Sequence, residues 1–255
     1  MSELKKYIVE SDPWADLKAF TAARIALGKT GVSVPLKEAQ AFKVAHAEAR
    51  DAVFSQLDED NLINNLKGLQ LPILTLHSLA TDRNLYLQRP DLGRRLDDLS
   101  VQILKEQEST GCDICICIAD GLSSLAVQNN VRPLLEILVP ALQNSRYTIA
   151  PLVIIRQGRV AVADEIGVLL KSRLSIILIG ERPGLTSADS LGAYLTFQPM
   201  PGLTDESRNC ISNIRPEGLV YSRAASKIQH LVAEAFRLQL TGVQLKDTEA
   251  LSLSE

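Results

Sequence analysis

The sequence has few aromatic residues, no long apolar run and no large excess of charge of one sign. Aromatic residues make up 4% of the 255 positions, so platforms for stacking nucleic-acid bases are not expected. The net charge of −3 gives no electrostatic reason to expect a nucleic-acid partner. No apolar run reaches the length of a membrane span, and residues 1–10 lack the apolar core of a secretion signal. We therefore expect a cytoplasmic protein that acts without nucleic acid or membrane.

Cysteine is also scarce, with four residues at Cys112, Cys115, Cys117 and Cys210. The close spacing of the first three superficially suggests a metal site. In a strand, however, side-chain alternation would place Cys115 and Cys117 on one face and Cys112 on the other, so three ligands could not converge. We expect small buried side chains in a reduced cytosolic protein, and no metal bound by the protein itself.

The chain is organised around residues 174–184, which read Leu-Ser-Ile-Ile-Leu-Ile-Gly-Glu-Arg-Pro-Gly. A short β-branched run closed by glycine and proline is typical of a strand buried on both faces. Two charges and a rigid turn follow it, at the edge where open α/β sheets bind ligands. An ordinary surface turn is the alternative interpretation.

The periodicity of the first third indicates a mainly helical lobe. The pattern predicts helices over residues 13–27, 36–56 and 59–66, followed by a strand over residues 71–78. Proline at a helix start, with an aspartate in the first turn, predicts a further helix over residues 90–107.

From residue 112 onward, predicted strands alternate with predicted helices. The strands cover residues 113–119, 150–155, 174–179 and 191–197. The helices cover residues 134–142, 163–171 and 221–240, and a turn at residues 120–124 opens another. This alternation predicts an α/β fold with a doubly wound, mostly parallel, Rossmann-like sheet. The predicted organisation is a flexible tether over 1–11, a mainly helical N-terminal lobe over 12–110, a Rossmann-like domain over 111–245 and a frayed C-terminus over 246–255.

The turns that follow the strands are expected to lie along one edge of the sheet, at residues 120–124, 156–160 and 180–184, with 209–216 as a candidate to join them. Gly-x-Gly-x-x-Gly, which a dinucleotide site needs, is absent. The segment around Ser123 and Ser124 lacks the second glycine of a nucleophile elbow, so a helix cap is the better explanation. Cys210 has no assignable histidine base. Because no complete catalytic set is present, this edge is predicted to bind a large ligand mostly through its backbone, or to form an interface that another chain completes.

Four arginines cluster before the sheet, at Arg83, Arg89, Arg94 and Arg95. One interpretation is a solvated basic face balanced by the nearby aspartates. The other is anion recognition or a polar subunit interface. The sequence leaves both open.

Four motifs occur in an order that identifies a family. They are Asn-Leu-Tyr-Leu-x-Arg-Pro-Asp-Leu-Gly-Arg-Arg-Leu at 84–96, Arg-Gln-Gly-Arg-Val at 156–160 with Asp-Glu-Ile-Gly at 164–167, Leu-Ile-Gly-Glu-Arg-Pro-Gly-Leu at 178–185, and Asn-Cys-Ile-Ser-Asn-Ile at 209–214. From about residue 12 to residue 240, the chain strongly resembles the small (light) subunit of ethanolamine ammonia-lyase.

The resemblance implies an adenosylcobalamin-dependent lyase that converts ethanolamine to acetaldehyde and ammonia by a radical mechanism. A large subunit with a (β/α)₈ barrel would hold the amine and carry out the chemistry. The small subunit would close the cobalamin site across the interface, in an assembly with six copies of each subunit. No catalytic residue is implied for this chain.

Three cobalamin-contact positions carry over by motif from the family. The valine after Gln-Gly-Arg is Val160, the glutamate of Gly-Glu-Arg-Pro-Gly is Glu181, and the cysteine of Cys-Ile-Ser-Asn-Ile is Cys210. The resemblance implies an apolar or backbone contact from Val160, hydrogen-bond acceptance by Glu181 and a small neutral contact from Cys210. Asp-x-His-x-x-Gly, which donates a histidine to cobalt in other cobalamin modules, is absent. This agrees with a family in which cobalt keeps the cofactor's own base.

Two other functions are compatible with the sequence. The chain could be a purely structural or solubilising partner of the lyase, or a self-contained α/β hydrolase that uses Ser123. Family members that enter the lumen of a bacterial microcompartment can carry a longer N-terminal extension. Here about ten residues precede the family-like region, so encapsulation is an open expectation.

Overall fold

The computed structural model describes residues 9–21, 23–107 and 111–246. Its helices are α1 Leu36–Phe54, α2 Glu59–Leu66, α3 Arg83–Gln88, α4 Asp98–Glu106, α5 Ser124–Asn144, α6 Val162–Leu169 and α7 Tyr221–Leu238. Its strands are β1 Ile73–His77, β2 Cys112–Ala119, β3 Leu152–Arg156, β4 Ser172–Gly180, β5 Leu191–Phe197 and β6 Asn209–Ile214. Short 3₁₀ helices cover Ala15–Ala19, Lys67–Leu69, Leu92–Arg94 and Asp205–Ser207. The predicted strands near 73, 113, 152, 174 and 191 are confirmed within a few residues, as is the long C-terminal helix.

The strands form one six-stranded sheet in the order β1-β3-β2-β4-β5-β6. β1, β3, β2 and β4 are parallel neighbours, whereas β5 and β6 run antiparallel. The predicted α/β class is confirmed, but the predicted mostly parallel, Rossmann-like sheet is matched only in its first four strands. No α-helix is described between β4 and β5 or between β5 and β6 to carry the chain back across the sheet for parallel pairing.

Helices cover both faces of the sheet because the strand side chains alternate in direction. On one face, Ile114, Ile116 and Ile118 of β2 are completely buried in a core shared with α2, α5 and α7. On the other face, Cys115 and Cys117 are completely buried in a core shared with α4 and α6. The sheet is thus the middle layer of three.

The predicted boundary at residue 110 leaves one strand of the sheet in the N-terminal segment. β1 pairs in parallel with β3 from Ile73 opposite Leu152 to His77 opposite Arg156. The segment before β1 is mainly helical, and Ala52 is the buried residue of α1. Residues 1–11 and 246–255, which we expect to be a tether and a frayed end, lie largely outside the described residues.

Two helix predictions in the first part of the chain are wrong. The predicted helix over 13–27 is a short 3₁₀ helix at Ala15–Ala19, followed by irregular chain. Its apolar residues have no core to pack against, since Phe20 is 86% exposed. The predicted helix over 90–107 is broken, and α4 begins only after Asp97, whose side chain accepts a 2.7 Å hydrogen bond from the Ser100 N–H.

Helix α5 is longer than predicted, and strand β6 is missing from the prediction. The helix expected to open at the turn 120–124 begins at Ser124 as predicted, but it is continuous with the helix expected over 134–142 and contains Pro133 and Pro140. Segment 209–216, expected to be a turn, contains β6, which pairs with β5. Its polar sequence and exposed positions suit the edge of a sheet, where alternation of apolar residues is weak. None of the described helices combines the length and apolar character needed to cross a membrane.

Candidate functional site

The turns after β2, β3 and β4 meet at the carboxyl edge of the parallel strands, as expected. The Leu122 N–H donates to the Gly180 carbonyl at 2.9 Å, which joins the turn after β2 to the end of β4. The Gly158 N–H donates to the Asp120 carboxylate at 3.3 Å, which joins the turn after β2 to the turn after β3. This contiguous edge carries the candidate site.

Glycines allow the turns at this edge to approach so closely. Gly121 has a φ of +57°, and a β-carbon there would lie 2.3 Å from the Gly180 carbonyl oxygen. A β-carbon at Gly180 would lie 2.0 Å from the Ser123 carbonyl oxygen. Both positions therefore exclude larger side chains, because the obstructing atoms belong to the backbone.

Asp120 is the buried acid of this edge. Desolvation raises its pKa to about 6, against the opposing effects of Arg83 and of backbone N–H donors. Arg83 donates to the carbonyls of Val53 and Gly121, each at 2.7 Å, and its Nη1 lies 3.9 Å from Asp120. This pair fastens the N-terminal segment to the turns of the sheet.

Val160 lies after β3, one residue before the cap of α6. The preceding residue is fixed to the N-terminal segment, because the Arg159 N–H donates to the Gly93 carbonyl at 2.7 Å. Val160 is half-buried and packs against the core on the α6 side. It lines an open cavity of about 820 Å³ together with Arg94, Arg95 and Tyr194. An apolar group beside a polar-rimmed cavity can contact a large ligand.

Glu181 is the first residue after β4, and its N–H donates to the Ser190 carbonyl at 2.9 Å. Its carboxylate is held by two donors. The Ser190 hydroxyl forms a short hydrogen bond to Oε2, and the Asn213 N–H donates to the same oxygen at 3.2 Å. Glu181 is therefore a fixed, partly accessible acceptor at the edge of the sheet.

Cys210 lies on β6 directly opposite Tyr194 of β5. Desolvation raises the pKa of the Cys210 thiol, and the neighbouring Tyr194 only partly offsets this effect. Because its pKa is raised, Cys210 is a neutral thiol at neutral pH, and not an activated nucleophile.

Tyr194, which sequence reasoning missed, links two of the three motif positions. Tyr194 lines the cavity with Val160 and pairs with Cys210. Glu181 is joined to β6, the strand of Cys210, through the Asn213 N–H, but neither Glu181 nor Cys210 is among the residues that line the cavity. Burial is the main cause of the raised pKa of Tyr194. Alternation along β5 turns Tyr194 away from Leu191, Ala193 and Leu195, towards the α6 side. Recognising β6 as a strand would have been needed to pair it with Cys210.

The four arginines have different surroundings. Arg83 binds the turns described above, Arg89 forms an exposed ion pair with Asp91, and Arg95 lies 3.6 Å from Glu165. Arg94 and Arg95 line the cavity beside Val160. The cluster is therefore divided among an internal contact (Arg83), an exposed ion pair (Arg89) and a polar cavity wall (Arg94 and Arg95).

The serine and cysteine alternatives have structural explanations. Ser123 accepts the Ala126 N–H at 3.2 Å, as expected of a helix cap, and donates to the Ala188 carbonyl at 2.8 Å. Cys112 packs on the same side as Cys115 and Cys117, contrary to the alternation argument. The N–H groups of Asp113 and Ile114 both donate to the Thr148 carbonyl, so the strand is irregular there. In the ranges that the structure describes, no group of three or more metal-ligating side chains is assembled.

The fold and the candidate site define an α/β protein in which three turns meet at the carboxyl edge of the parallel strands, with a cavity nearby. The family described as "Ethanolamine ammonia-lyase light chain (EutC)" matches residues 11–246. The chain is 52% identical over 239 residues to the "Ethanolamine ammonia-lyase small subunit" of Pseudomonas aeruginosa (strain PAO1), covering 92% of this chain and 88% of that protein. The identity and coverage are the same for the small subunits of Pseudomonas putida (strain W619) and Azotobacter vinelandii (strain DJ). The chain belongs to the ethanolamine ammonia-lyase light-chain family and is thus a subunit of an ammonia-lyase.

Proposed function

We propose that this chain is the small subunit of an adenosylcobalamin-dependent ethanolamine ammonia-lyase and that it closes the cofactor site against a catalytic large subunit. The observation that carries the proposal is a chain of contacts at one end of the sheet: Val160 and Tyr194 line an open cavity, Tyr194 pairs with Cys210 on β6, and Glu181 is bonded to β6 through Asn213. Family membership supplies the reaction class, and these residues supply a surface for a large ligand.

The residues of this surface fit the chemistry of a corrin edge. Corrin side chains end in amides, which donate N–H groups and present carbonyl oxygens. Glu181 offers a fixed carboxylate acceptor, and Val160 offers an apolar contact. The neutral Cys210 thiol adds a small contact without a competing charge. The fit needs no histidine ligand to cobalt from this chain.

The role of this chain is binding, orientation and exclusion of water. The radical chemistry that converts ethanolamine to acetaldehyde and ammonia is supplied by adenosylcobalamin when it is bound. Glu181 would accept a hydrogen bond from a corrin amide, and Val160 and Cys210 would contribute apolar and small neutral contacts. The amine site and the reacting atoms belong to the large subunit, which has a (β/α)₈ barrel, so this chain contributes no catalytic residue.

The proposed assembly contains six copies of each subunit. The relatives are named small subunits, which supports a larger partner subunit. The open cavity beside Val160 also suits a site that a second chain completes. We place the assembly in the cytoplasm, or in the lumen of a bacterial microcompartment if the host makes one.

The deciding experiment is ethanolamine deamination with adenosylcobalamin, using purified large subunit with and without this chain. We expect acetaldehyde only from the mixture. Glu181→Ala should weaken cofactor binding without preventing co-elution of the subunits on gel filtration. Inactivity of the mixture, given a competent large subunit, would refute the proposed function.

A structural or solubilising role is the second candidate. It is favoured by exposed apolar residues in the N-terminal segment, including Trp14 at 68% and Phe20 at 86% exposure. Under this alternative, substitution of Val160, Glu181 or Cys210 would leave cobalamin affinity unchanged while assembly persisted. Cofactor affinity, measured on the assembled complex, therefore separates the two candidates.

A further inference from the structure

The carboxylate of Glu181 is held asymmetrically. Both hydrogen bonds described for it, from the Ser190 hydroxyl and from the Asn213 N–H, go to Oε2. The other oxygen, Oε1, faces Gly192, where an added β-carbon would lie 3.0 Å from it. One oxygen is therefore fixed by the protein, and the other keeps its capacity to accept a hydrogen bond.

Ser190 reaches Glu181 because the two residues close the loop between β4 and β5. The Glu181 N–H donates to the Ser190 carbonyl at 2.9 Å, and the serine hydroxyl returns a bond to the glutamate side chain. Ser190 is 5% exposed, so its hydroxyl is held away from competing water. A charge-assisted bond in such a place strongly restricts the rotamer of the glutamate.

Asn213 reaches Glu181 because β6 is irregular at this point. Leu191 pairs with Ile214, and Ala193 pairs with Ile211, so two residues of β6 face Gly192 alone. This is the arrangement of a β-bulge, a feature that re-aims groups next to functional sites. Asn213 has a φ of +60°, and its N–H points to Oε2 of Glu181.

We propose that Ser190 is a positioning residue which, together with the bulge at Asn213, fixes Oε2 of Glu181 so that Oε1 is presented to the cofactor. This inference rests on the proposed function, in which Glu181 accepts a hydrogen bond from cobalamin. Gly192 is also part of this arrangement, because a side chain at this position would displace Oε1.

The test measures adenosylcobalamin binding to the assembled complex of this chain with the large subunit, by equilibrium dialysis and absorbance. Ser190→Ala should raise the dissociation constant about fivefold to tenfold, the loss expected when a carboxylate is no longer held by a hydrogen bond. Ser190→Thr keeps the hydroxyl and should restore most of the affinity. Ser187→Ala, a serine substitution in the same loop, is the matched control and should bind as the wild type does.

Coupling between the residues distinguishes positioning from a general structural effect. If Ser190 acts through Glu181, Ser190→Ala should have no further effect in a Glu181→Ala background. The Michaelis constant for ethanolamine at saturating cofactor should not change. If the Ser190 variant does not assemble, Gly192→Ala tests the same orientation of the Glu181 carboxylate. It should weaken cofactor binding by displacing Oε1.

The outcomes separate the inference from the proposed function. Unchanged affinity in Ser190→Ala, with weakened affinity in Glu181→Ala, overturns the positioning role alone. An equal loss from Ser190→Ala with and without the Glu181 carboxylate overturns it as well. Unchanged affinity in Glu181→Ala overturns the proposed cofactor contact, and the inference with it.

Discussion

The guanidinium group of Arg159 lies over the ring of Tyr86, 4.1 Å from the ring centre, while Arg83 lies 4.8 Å from the same centre. Tyr86 is completely buried, and its hydroxyl donates to the Gly158 carbonyl at 3.2 Å. This stack joins α3 to the turn that carries Val160.

Tyr86→Ala should lower the free energy of unfolding by about 3–5 kcal/mol, because it removes a buried ring and both cation–π contacts. Tyr86→Phe keeps the ring and loses the hydroxyl bond, so its cost should be about 1 kcal/mol. Urea unfolding of the two variants checks the difference. Equal costs would show that the hydroxyl, and not the stack, holds the turn.

Gly180→Ala should severely destabilise the carboxyl edge of the sheet. Its β-carbon would lie 2.0 Å from the Ser123 carbonyl oxygen and 2.6 Å from that of Asp120, and neither backbone atom can move cheaply. We expect a cost above about 3 kcal/mol, or failure to fold. Gly68→Ala is the matched control, because no atom lies within 4 Å of the added carbon.

Gly68→Ala should change stability by less than about 1 kcal/mol, in the stabilising direction. Thermal unfolding of both alanine variants against the wild type provides the comparison. A mild effect of Gly180→Ala would mean that the turn after β2 is not locked against β4 as the structure describes.

Asp164 and Arg208 form a doubly hydrogen-bonded ion pair, with both contacts at 2.7 Å and both side chains 1% exposed. The pair links α6 to the start of β6. Asp164→Ala should cost about 3–5 kcal/mol, because the buried Arg208 would keep only the exposed Asp205, 3.5 Å away, as an ionic partner. Replacing both residues with apolar ones of similar volume should recover much of this loss.

Denaturant unfolding of the single and double variants measures the coupling. A double replacement that is no more stable than Asp164→Ala would contradict this account. It would indicate that the pair is needed for the local geometry and not only for charge balance.

Sequence patterns predicted the parallel part of the sheet well because its strands are short apolar runs. Leu174 to Ile179 is buried on both faces, so its composition alone identifies it. The antiparallel part was harder, because Asn209 to Ile214 is an exposed edge strand without apolar alternation. The N-terminal segment was overpredicted as helix, since its apolar spacing has no core within the described chain to complete it.

The motif positions of the site could be located from the sequence, but their supports could not. Glu181 and Cys210 were named by motif, whereas Tyr194 and Ser190 contribute through contacts that depend on strand register. The bulge opposite Gly192 sets that register, and no local sequence pattern predicts the bulge. Long-range geometry therefore accounts for the part of the site that sequence reasoning missed.

Asp120 should make the folded protein less stable as the pH rises, which is opposite to the usual effect of an aspartate. Its folded-state pKa is about 6, because burial disfavours the charged form, whereas an aspartate in an unfolded chain titrates near about 3.9. Between these values the folded protein holds a proton that the unfolded chain has released. Proton binding by Asp120 therefore contributes its full stabilisation of the folded state below about pH 4, and this contribution is lost as the pH rises through about 6.

Asp120→Asn cannot ionise, so it should lack this component of the pH dependence. Between about pH 4 and pH 7.5, the wild type should lose on the order of 2–3 kcal/mol relative to the variant. Urea unfolding of both proteins at the two pH values measures this difference, and other titrating groups cancel in the comparison. Parallel profiles would mean that the Arg83 guanidinium and the backbone N–H groups around Asp120 offset its burial, so that the carboxylate is charged in the folded protein as in the unfolded chain.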